Sequence, residues 1–280
     1  ETNYVKALVA AQANDNQKAT NFLSQSISFT GSAQDNYWRD LAQIYFFRIQ
    51  EAIQQEGLSD ADRSKLVSDL ISALIQSSQA STDASPKNVA NWTIRGSVYS
   101  NLLNFIAGAD EWAIKAYEEA IKLEPTNPAT YVSLGQIYLS RADVLTDKAK
   151  ATEKQQALDI SREKFQKAQD LKSDYASARF QLAMIDVREN KIKDAISKLE
   201  ETKTYALSDT GLAFQLGLIY RADNQRDKAQ AEFERAVALD PNYANARYFL
   251  GLLYDEAGEK IKAIEQFQKV VDLNPDNETL

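Results

Sequence analysis

Apolar and small residues recur along the chain at helical spacing, and the whole pattern then repeats at a larger fixed interval. The interval is 34 residues for Leu182, Leu216 and Leu250, for Ala195, Ala229 and Ala263, and for Leu199, Phe233 and Phe267. Within each interval the apolar positions are three or four residues apart, which is typical of one buried face of an α-helix. A period of this length predicts a stack of helical repeats, because one short unit cannot bury its apolar face alone.

Turn-forming residues divide each interval into two helices. Asn190, Asn224 and Gly258 keep the 34-residue step, and these residue types tolerate the left-handed backbone conformation that ends a helix. Pro241 and Pro275 keep the same step, and proline ends one helix and starts the next. Each repeat is therefore predicted to be an antiparallel helix pair.

The pattern continues upstream with wider spacing. Five pairs are predicted in residues 89–280, starting near 89, 128, 176, 210 and 244. The pair from Pro128 to Lys172 occupies a 48-residue interval, 14 more than 34, which we interpret as seven residues added to each helix. Residues 1–88 are predicted to form divergent helix pairs with a long insertion, which gives about seven pairs. Their serine-rich end, 77–87, is predicted to be a frayed helix end or a regulatory or glycosylated loop.

The composition agrees with an all-helical chain that is soluble in water. Only 9 of 280 residues are Gly and 5 are Pro, and no uninterrupted apolar run approaches the length of a membrane span. The net charge of −8 is spread along the chain, which argues against nucleic acid as a partner and against direct membrane insertion. Because the sequence begins at Glu1 without Met, we expect a piece of a longer polypeptide. Its compartment, cytoplasmic or extracytoplasmic, is not determined by the sequence.

Much of catalytic chemistry is excluded by the residues that the chain lacks. It has neither Cys nor His, and therefore no thiol nucleophile, no imidazole base and none of the usual zinc ligands. Neighbouring carboxylates such as Glu118 and Glu119 point in directions about 100° apart on a helix and do not form an acid/base dyad. We therefore expect no enzyme activity, no cofactor and no metal site.

The residue types within one repeat resemble those of the tetratricopeptide repeat (TPR) family. The best-matching unit has Leu216, Gly217, Tyr220, Ala229, Phe233, Ala236 and Pro241. The resemblance covers residues 89–280 well and 1–88 moderately, and it implies an α-solenoid with a right-handed superhelical path. Three residues depart from the family pattern and are expected to weaken single interfaces: Arg95 stands for Leu, Asp186 for Tyr and Leu207 for Pro.

Two neighbouring interpretations fit less well. Pentatricopeptide arrays, which read RNA, have a slightly longer repeat and a basic surface, whereas this chain is acidic. TPR domains that hold chaperone tails use a Lys/Asn cluster to bind a carboxylate. The corresponding positions here have no basic side chain: Thr93, Ser97, Ser133, Ser177 and Gln181. Charged runs such as 225–228 are predicted to lie on the solvated convex face.

In the family, the first helices of the pairs line a concave groove that holds a peptide. The residues expected to line it here are Phe180, Met184, Arg188, Phe214, Leu218, Arg221, Tyr248 and Leu252. An aromatic residue is followed four positions later by an aliphatic one in each of three repeats, so the two side chains share one helix face. The alternative is that these side chains pack against the neighbouring first helix. Trp38, Tyr45 and Phe46 would extend the stripe, although core packing is favoured for them.

Two functional hypotheses follow from the resemblance. The first is a non-catalytic scaffold that binds another protein or a peptide segment with apolar side chains in the groove. The second is an accessory TPR arm of a larger enzyme, such as a glycosyltransferase or a bacterial membrane glycan ligase. A weak likeness to bacterial envelope proteins, in the residues that follow Asn91, supports the second hypothesis. A catalytic or membrane domain upstream of Glu1 would favour it.

The absence of His and Cys leads to a prediction about stability. Few groups change protonation between about pH 6 and 8, so the melting temperature should be nearly constant over that range and unaffected by EDTA. Thermal unfolding at several pH values, with and without EDTA, checks both statements. A fall of many degrees on adding EDTA would reveal an ion bound by carboxylates, such as calcium.

Overall fold

The structure is a computed structural model that describes residues 2–30 and 33–274, and all regular elements in these residues are helical. The fourteen α-helices in this part of the chain are α1 (Thr2–Gln12), α2 (Asn16–Thr30), α3 (Asp35–Gln54), α4 (Asp60–Ala84), α5 (Val89–Asn101), α6 (Ala109–Leu123), α7 (Pro128–Val144), α8 (Ala151–Leu171), α9 (Ala176–Arg188), α10 (Ile192–Lys203), α11 (Thr210–Ala222), α12 (Arg226–Leu239), α13 (Ala244–Glu256) and α14 (Lys260–Leu273). A short 3-10 helix, Lys148–Lys150, precedes α8. The expected class, an all-α solenoid of helix pairs, is confirmed.

The chain divides into two compact units, residues 1–157 and 158–280, and the division falls inside α8. In residues 1–157, α1 packs on α2, α3 on α4 and α5 on α6. In residues 158–280, α9 packs on α10, α11 on α12 and α13 on α14. Within each unit the helices contact mainly their neighbours in sequence, as expected for stacked repeats.

The turns inside the pairs have the backbone conformation that the sequence predicts. Asn14, Asn190 and Asn224 have φ values of 58°, 60° and 57°, and Gly258 has a φ of 80°. At each turn, the N–H of the next residue donates to a carbonyl five residues earlier, for example Gln225 to Tyr220 at 2.8 Å. This bond satisfies a carbonyl that the end of the helix leaves without a partner. The prediction that these residues end the first helix of a pair is confirmed.

Within a pair, the two helices approach each other where an aromatic ring lies over a glycine. A Cβ atom added to Gly217 would lie 2.5 Å from Cε1 of Phe233, which is fully buried. The same arrangement joins Gly251 to Phe267 and Gly96 to Tyr117, each with a Cβ separation of 2.7 Å. These distances are far below van der Waals contact, so the ring occupies the space that a side chain would need.

The sequence predicts that the extra residues between 128 and 175 are divided equally between two helices. The structure divides them unequally. Helix α7 has 17 residues and α8 has 21, compared with 13 in α11 and 14 in α12. The additions are therefore 17 − 13 = 4 and 21 − 14 = 7 residues, and the others lengthen the connection that contains the 3-10 helix. The prediction of seven residues per helix is wrong for α7.

Most of the serine-rich segment 77–87 lies in the last turns of α4, and residues 85–87 belong to the turn that follows. Ser77, Ser78, Ser81 and Thr82 lie in α4 and are buried. Each hydroxyl donates to a carbonyl three or four residues earlier, at 2.7–2.8 Å, so the polar groups are satisfied inside the helix. The prediction of a frayed end or a loop is wrong for residues 77–84, because small hydroxyl side chains can pack like alanine when their hydrogen bonds are internal.

Asp186, which replaces the usual Tyr of the repeat, is buried but fully paired. Its carboxylate accepts a hydrogen bond from Nη1 of Arg162 on α8 at 2.9 Å and another from Lys198 on α10. Arg162 also binds Glu189 at 2.9 Å. A buried carboxylate needs such partners because desolvation of an unpaired charge is costly. The carboxylate that replaces the family's Tyr is therefore paired with two cations from neighbouring helices.

The contact between Gly217 and Phe233 leads to a prediction about stability. Gly217→Ala should lower the free energy of unfolding by about 1–3 kcal/mol, because the ring of Phe233 must move out of a packed core. Gly211→Ala is a matched control in the same helix, since Gly211 is exposed and its added Cβ meets only Oδ1 of Asp209 at 3.3 Å. Urea unfolding of both variants checks this. Equal midpoints for the two variants would contradict it.

Candidate functional site

The eight residues predicted to line a groove all lie on the first helices of the three pairs in residues 158–280. Helix α9 carries Phe180, Met184 and Arg188, α11 carries Phe214, Leu218 and Arg221, and α13 carries Tyr248 and Leu252. These residues differ in exposure and in what they contact. The surface formed by α9, α11 and α13, called here the first-helix face, contains two clefts, one near each end of α11.

The first cleft lies between the N-terminal parts of α9 and α11 and has a volume of about 290 Å³. Its lining residues are Ala176, Ser177, Phe180, Thr202, Asp209, Gly211 and Leu212. The side chain of Phe180 is partly buried and packs on the core of this unit. Because Phe180 also lines the cleft, part of its side chain is open to it.

The second cleft lies between the C-terminal parts of α11 and α13 and has a volume of about 600 Å³. Its lining residues are Leu218, Arg221, Ala222, Asn224, Arg226, Leu253 and Glu256. Leu253 is buried and Leu218 partly buried, so they form an apolar floor, while the charged residues stand at its rim. The structure thus brings Leu218 and Arg221 together in one cleft.

Phe214 does not lie on the open surface, because neighbouring aromatic rings enclose it. Its ring centroid lies 5.1 Å from Tyr243, 5.8 Å from Phe249 and 5.9 Å from Phe233, and only 8% of the residue is exposed. These rings come from α12, from α13 and from the residue directly before α13, so Phe214 fills the junction between two repeats. Phe214 was predicted to face the groove. Instead, the neighbouring rings cover its side chain, so that it belongs to the core.

The other residues predicted to line the groove remain partly accessible to solvent. Tyr248 is 41% exposed, and its ring contacts Phe249 at 5.6 Å and Phe267 at 6.0 Å between centroids. Met184 and Leu252 are partly buried, and Arg188 is exposed. Nη1 of Arg188 donates to the carbonyl of Met184 at 3.1 Å. The apolar side chains among these residues, together with Phe180 and Leu218, form an interrupted stripe that the arginines border.

Glu256 is the centre of the charges at the second cleft. Its Oε2 atom accepts a hydrogen bond from Arg226, and its Oε1 atom lies 3.5 Å from Nη2 of Arg221. The hydrogen bond from Arg226, with the positive charges of both arginines, lowers the pKa of Glu256 below its usual value. Arg221 also stands over the ring of Phe249, 5.4 Å from its centroid, in a cation–π contact.

Arg226 and Glu256 were missed by the sequence analysis. Arg226 belongs to the charged run 225–228 that was predicted to lie on the solvated convex face, and the structure places it at the cleft. It does so because α12 begins at Arg226, directly after the left-handed turn at Asn224. The only sequence signal is that 34 residues separate Asn224 from Gly258, so that both Arg226 and Glu256 lie two residues from a turn.

Residues 1–157 contain a smaller apolar cleft of about 250 Å³ between α3 and α5. It is lined by Ala42, Gln43, Phe46, Phe47, Leu74, Ile94, Ser97, Val98 and Asn101. Phe46 lines this cleft and also packs, partly buried, on the core of this unit, as was favoured for it. Trp38 and Tyr45 are partly buried and pack on the cores of this unit, as was favoured for them.

Two general features of the described residues bear on other classes of site. Among them there is no group of three acidic side chains arranged to hold a metal ion. None of the helices in residues 2–30 and 33–274 combines the length and the apolar character needed to cross a membrane.

Comparison with known proteins finds repeats and folds similar to this one. A family model described as "Tetratricopeptide repeat" matches residues 214–278, and one described as "TPR repeat" matches residues 105–140. Among curated proteins there is no match. A TPR protein from Parabacteroides merdae is 15% identical, with a TM-score of 0.66, and the match covers 99% of this chain and 94% of that chain.

Two further solved structures are similar. The Cut9-Hcn1 assembly of the APC/C has a TM-score of 0.61 at 15% identity, over 97% of this chain and 46% of that chain. The TPR protein TTC0263 from Thermus thermophilus has a TM-score of 0.55 at 12% identity, over 75% of this chain and 98% of that chain. At these identities the likeness concerns the fold alone. The chain is a helix-pair repeat protein. Residues 105–140 and 214–278, which the two family models match, are tetratricopeptide repeats.

The different surroundings of Phe214 and Tyr248 lead to a prediction. Phe214→Ala should lower the free energy of unfolding by about 3–5 kcal/mol, as expected for a buried ring, whereas Tyr248→Ala should cost clearly less because much of its ring faces solvent. Denaturant unfolding of the two variants measures the difference. A larger loss for Tyr248→Ala would show that the exposures of the two rings have been assigned the wrong way round.

Proposed function

We propose that the first-helix face of residues 158–280 binds a polypeptide segment, and that the chain acts as a non-catalytic scaffold through this face. The observation that carries the proposal is the pair of clefts at the two ends of α11. One cleft is lined in part by Phe180, and the other combines the apolar floor of Leu218 with the charged rim at Arg221. Sites for extended peptides combine apolar pockets with a few polar groups that fix register.

Exposed side chains between and beside the clefts support the same proposal. Tyr248 offers an open aromatic surface, and tyrosine is enriched at protein interfaces because it joins a large apolar area to a polar end. Arg188 stands at the exposed end of α9. A segment lying across α9, α11 and α13 would meet apolar surface first and arginine side chains at the edge. We therefore expect a partner with apolar side chains and acidic groups.

The proposal is tested by capture with the chain of 280 residues as bait, followed by mass spectrometry. Leu218→Asp places a charge on the floor of the second cleft, and Leu239→Asp is a matched control because Leu239 is exposed on α12 and does not line that cleft. Proteins recovered by the wild-type chain and by Leu239→Asp should be lost with Leu218→Asp. The affinity for a recovered partner should also fall with Tyr248→Ala, by about 1–4 kcal/mol.

The melting temperature of each variant separates loss of binding from loss of fold. Leu218 is partly buried, so Leu218→Asp is informative only where its helix content and melting behaviour remain close to those of Leu239→Asp. Tyr248→Ala provides the second reading at a more exposed position. Partners that bind all four proteins equally well would place the binding surface elsewhere on the chain.

A further inference from the structure

The second cleft carries an excess of positive charge in a chain that is otherwise acidic. Its lining includes two guanidinium groups, Arg221 and Arg226, and one carboxylate, Glu256, which gives 2 − 1 = +1. The whole chain has a net charge of −8. An anionic group is therefore favoured at this place although the protein as a whole repels anions.

The two arginines are held by a carboxylate of the chain itself. Each oxygen of Glu256 meets one guanidinium, Oε2 with Arg226 and Oε1 with Arg221. Arginine side chains recognise a carboxylate ligand through charge-assisted contacts of the same kind. Glu256 thus occupies an anion site with its own side chain.

This internal occupation is accessible and weak. The side chains of Arg221, Arg226 and Glu256 are 37%, 49% and 40% exposed, and ion pairs so open to water contribute little to stability. A guanidinium has five N–H donors, and within residues 2–30 and 33–274 each of these two gives only its Nη2 to a protein acceptor. Donors therefore remain for a second carboxylate, and Glu256 can be displaced at small cost.

The surroundings of the arginines define what accompanies that carboxylate. Leu218 and Leu253 form an apolar floor below the rim, and Ala222 leaves space beside it. The contact of Arg221 with the ring of Phe249 fixes one guanidinium at the mouth of the cleft. An aliphatic side chain next to the ligand carboxylate would fill the volume over the floor.

We infer that the second cleft binds a peptide carboxylate adjacent to an aliphatic residue, and that Glu256 competes with this ligand for Arg221 and Arg226. The inference rests on the proposed function, because it names the chemistry of the partner at one end of the first-helix face. The carboxylate comes either from an Asp or Glu side chain or from the C-terminus of the partner. Both sources present the same planar group to the arginines.

The test uses the chain of 280 residues and a fluorescein-labelled peptide of the order Gly-Ser-Gly-Asp-Leu-Leu with a free C-terminus. Binding is followed by fluorescence anisotropy. Three further peptides distinguish the source of the carboxylate: one has Asn for Asp, one has a C-terminal amide, and one has both changes. The doubly changed peptide should bind at least about tenfold more weakly than the first.

Substitutions in the cleft should act in opposite directions. Glu256→Gln should tighten binding of the first peptide by about threefold to tenfold, because the competing charge is removed, and Arg226→Gln should weaken it by a similar factor. Arg226→Lys keeps the charge but loses the planar fork, so it should lie between Arg226→Gln and the wild-type chain. Lys269→Gln is the matched control: it also removes one positive charge, from an exposed position on α14 outside the cleft, and should leave the affinity unchanged.

The outcomes separate this inference from the proposed function. Equal affinity of the wild-type chain, Glu256→Gln and Arg226→Gln for the first peptide overturns it, and so does the absence of binding by the wild-type chain and Glu256→Gln at millimolar concentration. If captured partners still depend on Leu218 and Tyr248 in that case, the scaffold function stands without a carboxylate site. Melting temperatures should be unchanged in all four variants because every substituted side chain is exposed.

Discussion

The stacked architecture depends on the contact of one aromatic ring with one glycine in each regular pair. Phe233 over Gly217 and Phe267 over Gly251 set how closely the two helices of a pair approach. Because glycine has no Cβ, the ring can lie on the helix backbone itself, and its other side remains available to the next repeat. Phe249, for example, stacks on Phe233 at 5.6 Å between centroids. The ring that joins two helices thus also joins two repeats.

This use of aromatic rings explains why the first-helix face has clefts at its ends and a closed middle. Phe214 stands at the level where Phe233, Phe249 and Tyr243 meet, so its ring belongs to the junction between repeats. The clefts lie on either side of that level, one lined in part by Phe180 and the other by Leu218. The open surface of such an array is the surface that packing between the repeats does not cover.

The sequence predicts the fold of this protein better than its surface. A 34-residue step and left-handed turn residues such as Asn190 and Asn224 predict the helix pairs, because each reflects a local steric requirement that the structure also shows. Periodicity also identifies which helix a residue lies on. It does not distinguish Phe214, which is enclosed, from Tyr248, which occupies the equivalent place 34 residues later and is half exposed. That difference arises from rings supplied by other helices.

Charged residues are predicted least well, for a related reason. The run 225–228 reads as a solvated surface, and whether Arg226 points to bulk water or to Glu256 depends on the start of a helix to within one residue. At Asp186 the sequence predicts a weakened interface, because the usual Tyr is absent. The cations that compensate for it, Arg162 and Lys198, lie 24 and 12 residues away, where no periodic signal connects them to Asp186.

The pairing of buried Asp186 with Arg162 and Lys198 constrains how this repeat can change during evolution. Restoring the family's Tyr at position 186 alone would leave two cations without their shared carboxylate, and replacing either cation alone would leave the carboxylate underpaired. The three positions therefore form one mutational unit with strong epistasis. In related sequences they should covary as a set across three successive helices, and Asp186→Tyr alone should be deleterious although Tyr stands at the equivalent positions 220 and 254.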